Sequence, residues 1–568
     1  DVSPEFEASY KSKIGNLDYT FAIESERKNG YFGRNDQYYD ADDFLTGKKD
    51  LDGSFVFKEI NPTANLTYTT ENDTIINLNG DYKSAQFEID QYHVETGEDA
   101  SNLFWDGEEA FFEWEIGGDL ETDLGALGKL KLLFLKNRNK NKYFSTQRYD
   151  GVGDERYLYN DEDIDFERTE EILRGSLTKN LTEKQSLEIG AEGAYNGFYQ
   201  QFDNYEREEF GDPLELTTTN NIRIKEKRYE IFAHHNYTIA SNLVLQSSLT
   251  TEFSQITANS FLEDGSVSVD DDKFTFFKPR VNFRYDINDR NQVRLVAEKK
   301  VSQLEFFHYI TFFDQQTEEF KSGNTSIKPQ QNWDFSATYE YRLPKDGGTI
   351  EAKVFYKQYK DYITRIDFTE YEDFGGNSIS EDTFFALLPT TDLRDDIDFT
   401  SKSGNIDKAT SYGFEIKSNT RLGFIGLPEA QLGLSYEYER RRYSSPFTGA
   451  SLPFNWNPDQ NISVNFRHDL TKYNISYGGE ATFRSSFQNN DIDYNWLFQP
   501  DDEYEVFAEY KLFKSMKLRV EASQSRNTHS RGTFNRYSDH LKLGEFEGRD
   551  EQFHTRPYEV QFSLEGTF

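Results

Sequence analysis

The sequence predicts an all-β protein, a transmembrane antiparallel β-barrel of about 22 strands with about 21 visible in these 568 residues, short turns at one end and long loops at the other. Three observations carry that prediction. The first is the ring content: 50 Phe, 36 Tyr and 5 Trp make up 16% of a chain whose formal charge is −38 and mean hydropathy −0.82. An acidic disordered chain has no use for so many apolar faces, and something must cover them. The second is period-two patterning over long stretches, and the third is the regular alternation of tight and long connections between those stretches.

Taken along the chain, "NLDYTFAIE" puts Leu17, Tyr19, Phe21 and Ile23 on one face, and "QSLEIGAEGAY" does the same with Leu187, Ile189, Ala191, Gly193 and Tyr195. "AQLGLSYEYE" aligns Leu432, Leu434, Tyr436 and Tyr438, and "DEYEVFAEYKL" aligns Tyr504, Val506, Ala508, Tyr510 and Leu512. The ending "RPYEVQFSLEGTF" turns Tyr558, Val560, Phe562 and Leu564 one way and Glu559, Gln561, Ser563 and Glu565 the other, which suits a strand between lipid and a wet lumen. The opposite faces carry Glu, Asp, Lys, Gln and Ser. Tight connections fall near 13–16, 71–73, 180–184, 287–291, 344–348 and 513–515, all with turn chemistry. Long polar connections span 25–53, 137–165, 199–222, 303–326, 365–405 and 524–553.

Soluble alternatives fit less well. Propeller blades and sandwiches use strands of ~5 to 6 residues and blades repeat a motif, whereas many strands here run roughly 10 to 16 residues, enough to cross a bilayer at a tilt. Tyr10, Tyr19, Tyr436 and Tyr438 at strand ends suit interfacial girdles. No run approaches the ~18 apolar residues of a membrane-spanning helix. With 63 Lys and Arg against 101 Asp and Glu, the charge argues against nucleic acid as a partner. The absence of Cys removes disulfides, thiolate chemistry and Cys-based zinc sites. Asp1 is no initiator Met and no signal peptide precedes it, so targeting does not reveal the compartment.

Parity adds an expectation. The first connection, "KIGN", is of the short type and the last strand ends on the same side, so the two outer strands run in the same direction. Closed single-chain bacterial barrels alternate all the way round and have even counts, so one strand preceding Asp1 is expected to complete a barrel of 22. So wide a lumen calls for a plug. Strand-like alternation begins at "PEFEASYKSK", so residues 1–568 are expected to be barrel alone, with an N-terminal plug domain absent from this chain or an open pore.

Residue motifs then point to a family. "SGNTSIKPQQNWDFSATYEYRL" (322–343), "VFYKQYKDYITRI" (354–366), "ATSYGFEIKSN" (409–419) and the terminal strand with Phe568 resemble, in order and spacing, the second half of TonB-dependent receptor barrels. Gln330 stands where that family often has Glu, and "SQSRNTHSRGTF" (523–534) matches only loosely. The resemblance implies an outer-membrane receptor of a Gram-negative bacterium, taking up a scarce ferric siderophore, cobalamin, carbohydrate or peptide by TonB-coupled transport. It implies partners in outer-membrane lipid and lipopolysaccharide, TonB through a plug segment outside this chain, and the barrel assembly machinery. A plugless passive channel, or a structural barrel housing a partner protein, is the alternative.

Candidate sites follow from side-chain chemistry. Tyr31, Phe32, Tyr38 and Tyr39 in "YFGRNDQYYDADDF" and Phe306, Phe307, Phe312 and Phe313 in "LEFFHYITFFDQQ" concentrate rings in predicted outer loops. There they could stack on a sugar, a catecholate or a flat chelate, or pack loop against loop. Arg440, Arg441 and Arg442 suit lipopolysaccharide phosphates or an anionic ligand, or a salt-bridged loop base. Tyr558, Phe562 and Phe568 suit an assembly signal. The eight His form no metal-spaced motif, and His234 and His235, neighbours in a strand, face opposite sides. Acidic runs such as "SVDDDKF" could hold calcium through clustered carboxylates but match no EF-hand and suit solvated outer loops; no metal or cofactor is expected, and with no local catalytic signature no enzyme activity either.

Overall fold

The computed structural model describes residues 5–566, apart from 98–99, 151–155, 208–210, 262–265, 311, 315–318, 322, 374, 389–396, 514, 526–529 and 556–557. Among the described residues, 26 strands join one antiparallel sheet, and Phe312–Asp314 pairs with Glu319–Lys321 apart from it. That number corrects the expected count of about 22. Five of the 26 (Ser451–Leu452, Phe487–Asn490, Tyr494–Gln499, Ser530–Tyr537 and Phe546–Thr555) are short strands at the long-loop end; with those set aside, 21 staves remain. Each stave pairs antiparallel with the next, from Phe6–Ile14 to Glu559–Gly566. Among the described residues no helix is long and apolar enough to cross a membrane.

The long polar connections predicted at 25–53, 137–165 and 199–222 are mostly strand. Leu17–Asp40 and Leu45–Thr69 run on to a turn at 41–44, Lys129–Asp150 continues past 137, and Gln185–Glu206 past 199. The 27 residues of Arg156–Thr182 extend roughly 90 Å at ~3.3 Å per residue, far beyond the ~9 to 11 residues a tilted bilayer crossing needs. The physical reason is that apolar alternation marks contact with lipid. Above the membrane both faces of the wall are wet, so the same strand continues in polar residues.

The wall is tall over residues 17–288 and again at Gly348–Asp367 and Ser401–Leu422, with 20 and 22 residues, and lower between and after them. Asn291–Val301, Gln331–Arg342 and Gln460–Leu470 have 11, 12 and 11 residues. Side chains alternate as predicted along the membrane-crossing portions. Leu173, Ile189, Ile231, Leu249, Val354, Val506 and Phe562 are exposed on the outer face, Leu173 by 67% and Phe562 by 72%. The luminal face carries ion pairs instead: Lys278 Nζ lies 2.6 Å from Glu230 and 2.7 Å from Glu252, and Glu509 receives Arg467 at 2.7 Å and Arg519 at 3.0 Å.

At the seam, Phe6–Ile14 and Glu559–Gly566 run in the same direction, and no backbone ladder among the described residues joins them. Gln561 Nε2 donates to Glu5 Oε2 at 3.3 Å across the gap. Above the seam the wall is continuous, because Phe546–Thr555 pairs antiparallel with Gly33–Asp40.

Candidate functional site

The long-loop end of the lumen is narrowed from one side by residues 302–310 and 323–330. Five apolar side chains on the luminal face of the tall wall (Phe198, Ile222, Ile224, Ile256 and Ala258) would otherwise stand in water. Tyr309 and Ile327 fold inward to cover them, and Phe306 stacks on Phe198 at 5.3 Å. Gly323 and Asn324 hold the return path. Gly323 packs so tightly on the Tyr309 backbone that a Cβ there would lie 2.2 Å from its carbonyl. Asn324 Nδ2 donates to the Ser403 carbonyl at 2.8 Å while its Oδ1 accepts from Ser326 N at 2.9 Å. Asn405 clamps Lys328 through both backbone groups, at 2.8 and 2.9 Å. Gln330 Oε1 accepts the Ile363 N–H at 3.1 Å, a role a carbonyl oxygen fills as well as a carboxylate. Burial raises the Tyr309 phenol. Burial first, and Arg365 second, lower the His308 imidazole to about 4, so it is neutral at neutral pH.

A second element follows the strand Gly348–Asp367. The helix Glu381–Leu387 is capped by Ser380, whose Oγ accepts from Thr383 N at 3.2 Å, and it buries Phe384 against Tyr371. Lys542 Nζ reaches Glu381 at 2.8 Å and lies over the Phe385 ring at 4.6 Å. Beneath it, fully buried His540 faces Asp367, Nε2 to Oδ2 3.4 Å, with Tyr371 OH donating to the same oxygen at 2.6 Å. Burial raises the Asp367 carboxyl, but hydrogen bonds from His540, Tyr371 and Thr369 outweigh it and leave the group below the usual carboxylate range.

Asp367, Glu381 and His540 come close enough to suggest a metal centre. The histidine argues otherwise. Its Nδ1 accepts the Lys542 backbone N–H at 2.9 Å, so in the neutral ring Nε2 carries the proton and has no lone pair for an ion. Lys542 already supplies the cation that Glu381 needs. The trio is a latch between loops.

The third wall is the small sheet Phe487–Asn490, Tyr494–Gln499, Ser530–Tyr537 and Phe546–Thr555. A cross-strand row runs Trp496, Phe534, Asp550, Tyr38. Tyr38 stands an odd number of residues from lipid-facing Phe21 on one strand, so the row faces the lumen. Trp496 is buried there, and Trp456, 53% exposed, covers it with ring centroids 4.9 Å apart.

The predicted aromatics do not form one site. Tyr31 and Tyr39 point outward from the Leu17–Asp40 strand, Tyr39 beneath Arg549 at 4.6 Å, while Phe32 and Tyr38 point inward, Phe32 against Gly53. Phe306 is packed on the wall and Phe307 is exposed beside His308, ring centroids 4.0 Å apart. Phe312 and Phe313 lie on a strand, but their side chains, like Phe568, fall outside the described residues. Arg440 is exposed, Arg441 pairs with buried Glu439 and donates to the Pro458 carbonyl at 2.8 Å, and Arg442 reaches Asp459 at 3.4 Å. Tyr558 and Phe562 stand on the outer face of the last strand. Sequence reasoning missed Trp456 and Trp496; the signal available was "NWN", an indole between two turn-forming amides.

Tall antiparallel wall, apolar outer belt, ion-paired lumen and in-folded loop together define an outer-membrane β-barrel receptor of a Gram-negative bacterium. The family model for the TonB dependent receptor-like β-barrel matches residues 38–523, and the chain belongs to that family. Its fold is shared with the siderophore receptor PiuA from Acinetobacter baumannii (TM-score 0.58, 12% identity, 97% of this chain and 82% of that one). The ferripyoverdine receptor of the outer membrane of Pseudomonas aeruginosa is similar too (0.57, 12%, 98% and 71%), as is the copper transporter OprC (0.57, 11%, 98% and 80%). None of the curated proteins matches the chain.

Proposed function

We propose that this receptor captures a scarce ligand at its long-loop mouth and imports it by TonB-coupled transport, TonB acting through a plug domain outside residues 1–568. The observation that carries this reading is the in-folding of residues 302–310 and 323–330, which builds a shaped, partly apolar mouth where a passive pore would keep an open one. The similar structures, named as siderophore receptors and a copper transporter, support uptake as the activity. Arg440, exposed beside the outer belt, contacts lipopolysaccharide phosphate, and Tyr558, Phe562 and Phe568 serve assembly. Conductance of the full-length protein in planar bilayers tests the reading. A closed pore, with uptake lost when TonB is deleted, is expected. Large steady conductance would replace it with a passive channel.

A further inference from the structure

We infer that Trp456, backed by Trp496, is a stacking platform for a ring of a neutral oligosaccharide. The inference deepens the receptor reading above and rests on it for the role of capture.

The platform is built. Trp456 has φ 62°, a left-handed conformation that a bulky residue adopts only when its surroundings impose it, at a cost of order 1 kcal/mol. Its N–H is fixed on the Gln488 carbonyl at 2.9 Å. On either side the chain is tied down by amides. Asn455 exchanges three hydrogen bonds of 3.2 Å with Asn490, and Asn457 Nδ2 donates to the Asn455 carbonyl at 2.6 Å. All this restraint holds an indole half out in water, at 64° to Trp496, where burial would have been the favoured fate of the ring. A strained, anchored, exposed aromatic inside a mouth is a ligand contact rather than a packing residue.

Charge and amides choose the ligand class. An anionic ferric chelate needs free guanidinium forks. On the luminal face of this sheet Arg536 is held by Asp550 at 3.3 Å, while Arg531 and Arg549 alternate to the outer face. With a net charge of −38 the protein repels such anions before they arrive. A neutral sugar has no charge to repel. Its C–H face covers an indole, and its hydroxyls bond carboxamides. Asn489, on the luminal row with Trp496, uses one amide hydrogen on Tyr494 OH at 3.2 Å, and its Oδ1 accepts no hydrogen bond among the described residues.

The test uses the full-length receptor in detergent and its Trp emission. Neutral glucan, xylan, mannan and chitin hexasaccharides are titrated beside a ferric tris-catecholate. Saturable quenching by at least one hexasaccharide, weakened at least tenfold in Trp456→Ala and restored in part by Trp456→Tyr, is expected. Binding of no neutral hexasaccharide, or equal binding by Trp456→Ala, overturns the inference. A catecholate that binds through Trp456 overturns it too while leaving the receptor reading intact. A steadily conducting pore that still binds a hexasaccharide at Trp456 would do the reverse.

Discussion

Arg365 Nε lies 3.1 Å from Asp491 Oδ2, joining two parts of the mouth 126 residues apart in sequence. Asp491 is 1% exposed, and the same guanidinium reaches the Ser401 carbonyl at 2.7 Å and its hydroxyl at 2.6 Å. Removing one charge of such a pair leaves the other desolvated and unmatched. Asp491→Asn should therefore loosen this corner by ~3 kcal/mol, while the membrane-crossing staves keep their stability. Hydrogen exchange locates the effect: protection should fall at 363–367 and 490–495. Unchanged protection there would mean that Arg365 is held well enough by Ser401.

Gly323 sets the path of the in-folded segment. A Cβ at this position meets the Tyr309 carbonyl carbon and oxygen at 2.2 Å and Ile310 N at 2.6 Å, all backbone, so nothing flexible can give way. Gly323→Ala should cost ~1 to 3 kcal/mol and lift Tyr309 and Ile327 from the wall. Limited proteolysis within 302–330 should accelerate in the variant, and a protease pattern identical to the parent would count against the role given to this glycine.

Membrane-facing structure was legible and the mouth was not, for one reason. Lipid selects apolar residues at every second position, so Leu432, Leu434, Val506 and Tyr510 announce both the strand and its outer face. Once the wall rises into water that selection ends, and the strands through Tyr31 to Asp40 and Phe198 to Glu206 read as loops. The glycines of the receptor-like motifs proved to be steric. At Gly413 a Cβ would lie 1.9 Å from the Tyr438 carbonyl, so "SYGFEI" marks a close strand approach. The site itself was scattered by topology. Trp496 and Tyr38 share a face only through a row of four cross-strand neighbours, Trp456 reaches Trp496 from a separate connection, and no local spacing encodes either relation.

Glu162 gives the tall wall a pH dependence. It is buried on the luminal side, 3.1 Å from Ser145 Oγ, and burial raises its carboxyl to about 7, with the serine hydrogen bond acting the other way. A carboxyl raised above its unfolded value of 4.5 contributes stability that is fully present below pH 4.5 and is lost as pH rises through about 7. Glu162→Gln keeps the shape and the acceptor without the ionisation. It should match the parent near pH 4.5 and exceed it by up to ~3 kcal/mol at pH 8. Exchange rates of the 158–165 amides, measured across that range, report the difference; parallel profiles for parent and variant would show that the carboxylate is solvated.

The seam carries the last prediction. Inside a bilayer an unpaired strand edge leaves N–H and C=O groups without partners, each at a cost of several kcal/mol. The edges of Phe6–Ile14 and Glu559–Gly566 face one another across the seam, both running toward the short-turn end. One strand antiparallel to both satisfies the two edges at once. Gln561 and Glu5 meet across the seam through their side chains, with no backbone ladder joining the two strands among the described residues. That contact puts Ala8 level with Leu564, both turned outward. With an intervening strand their Cα atoms stand ~9.6 Å apart, beyond the ~7 Å that a disulfide spans. The chain has no Cys of its own, so Ala8→Cys with Leu564→Cys gives a clean reporter. Under oxidant in bilayer nanodiscs, the full-length double variant should stay reduced. Efficient disulfide formation would show that the two edges meet directly, and would remove the need for a further strand.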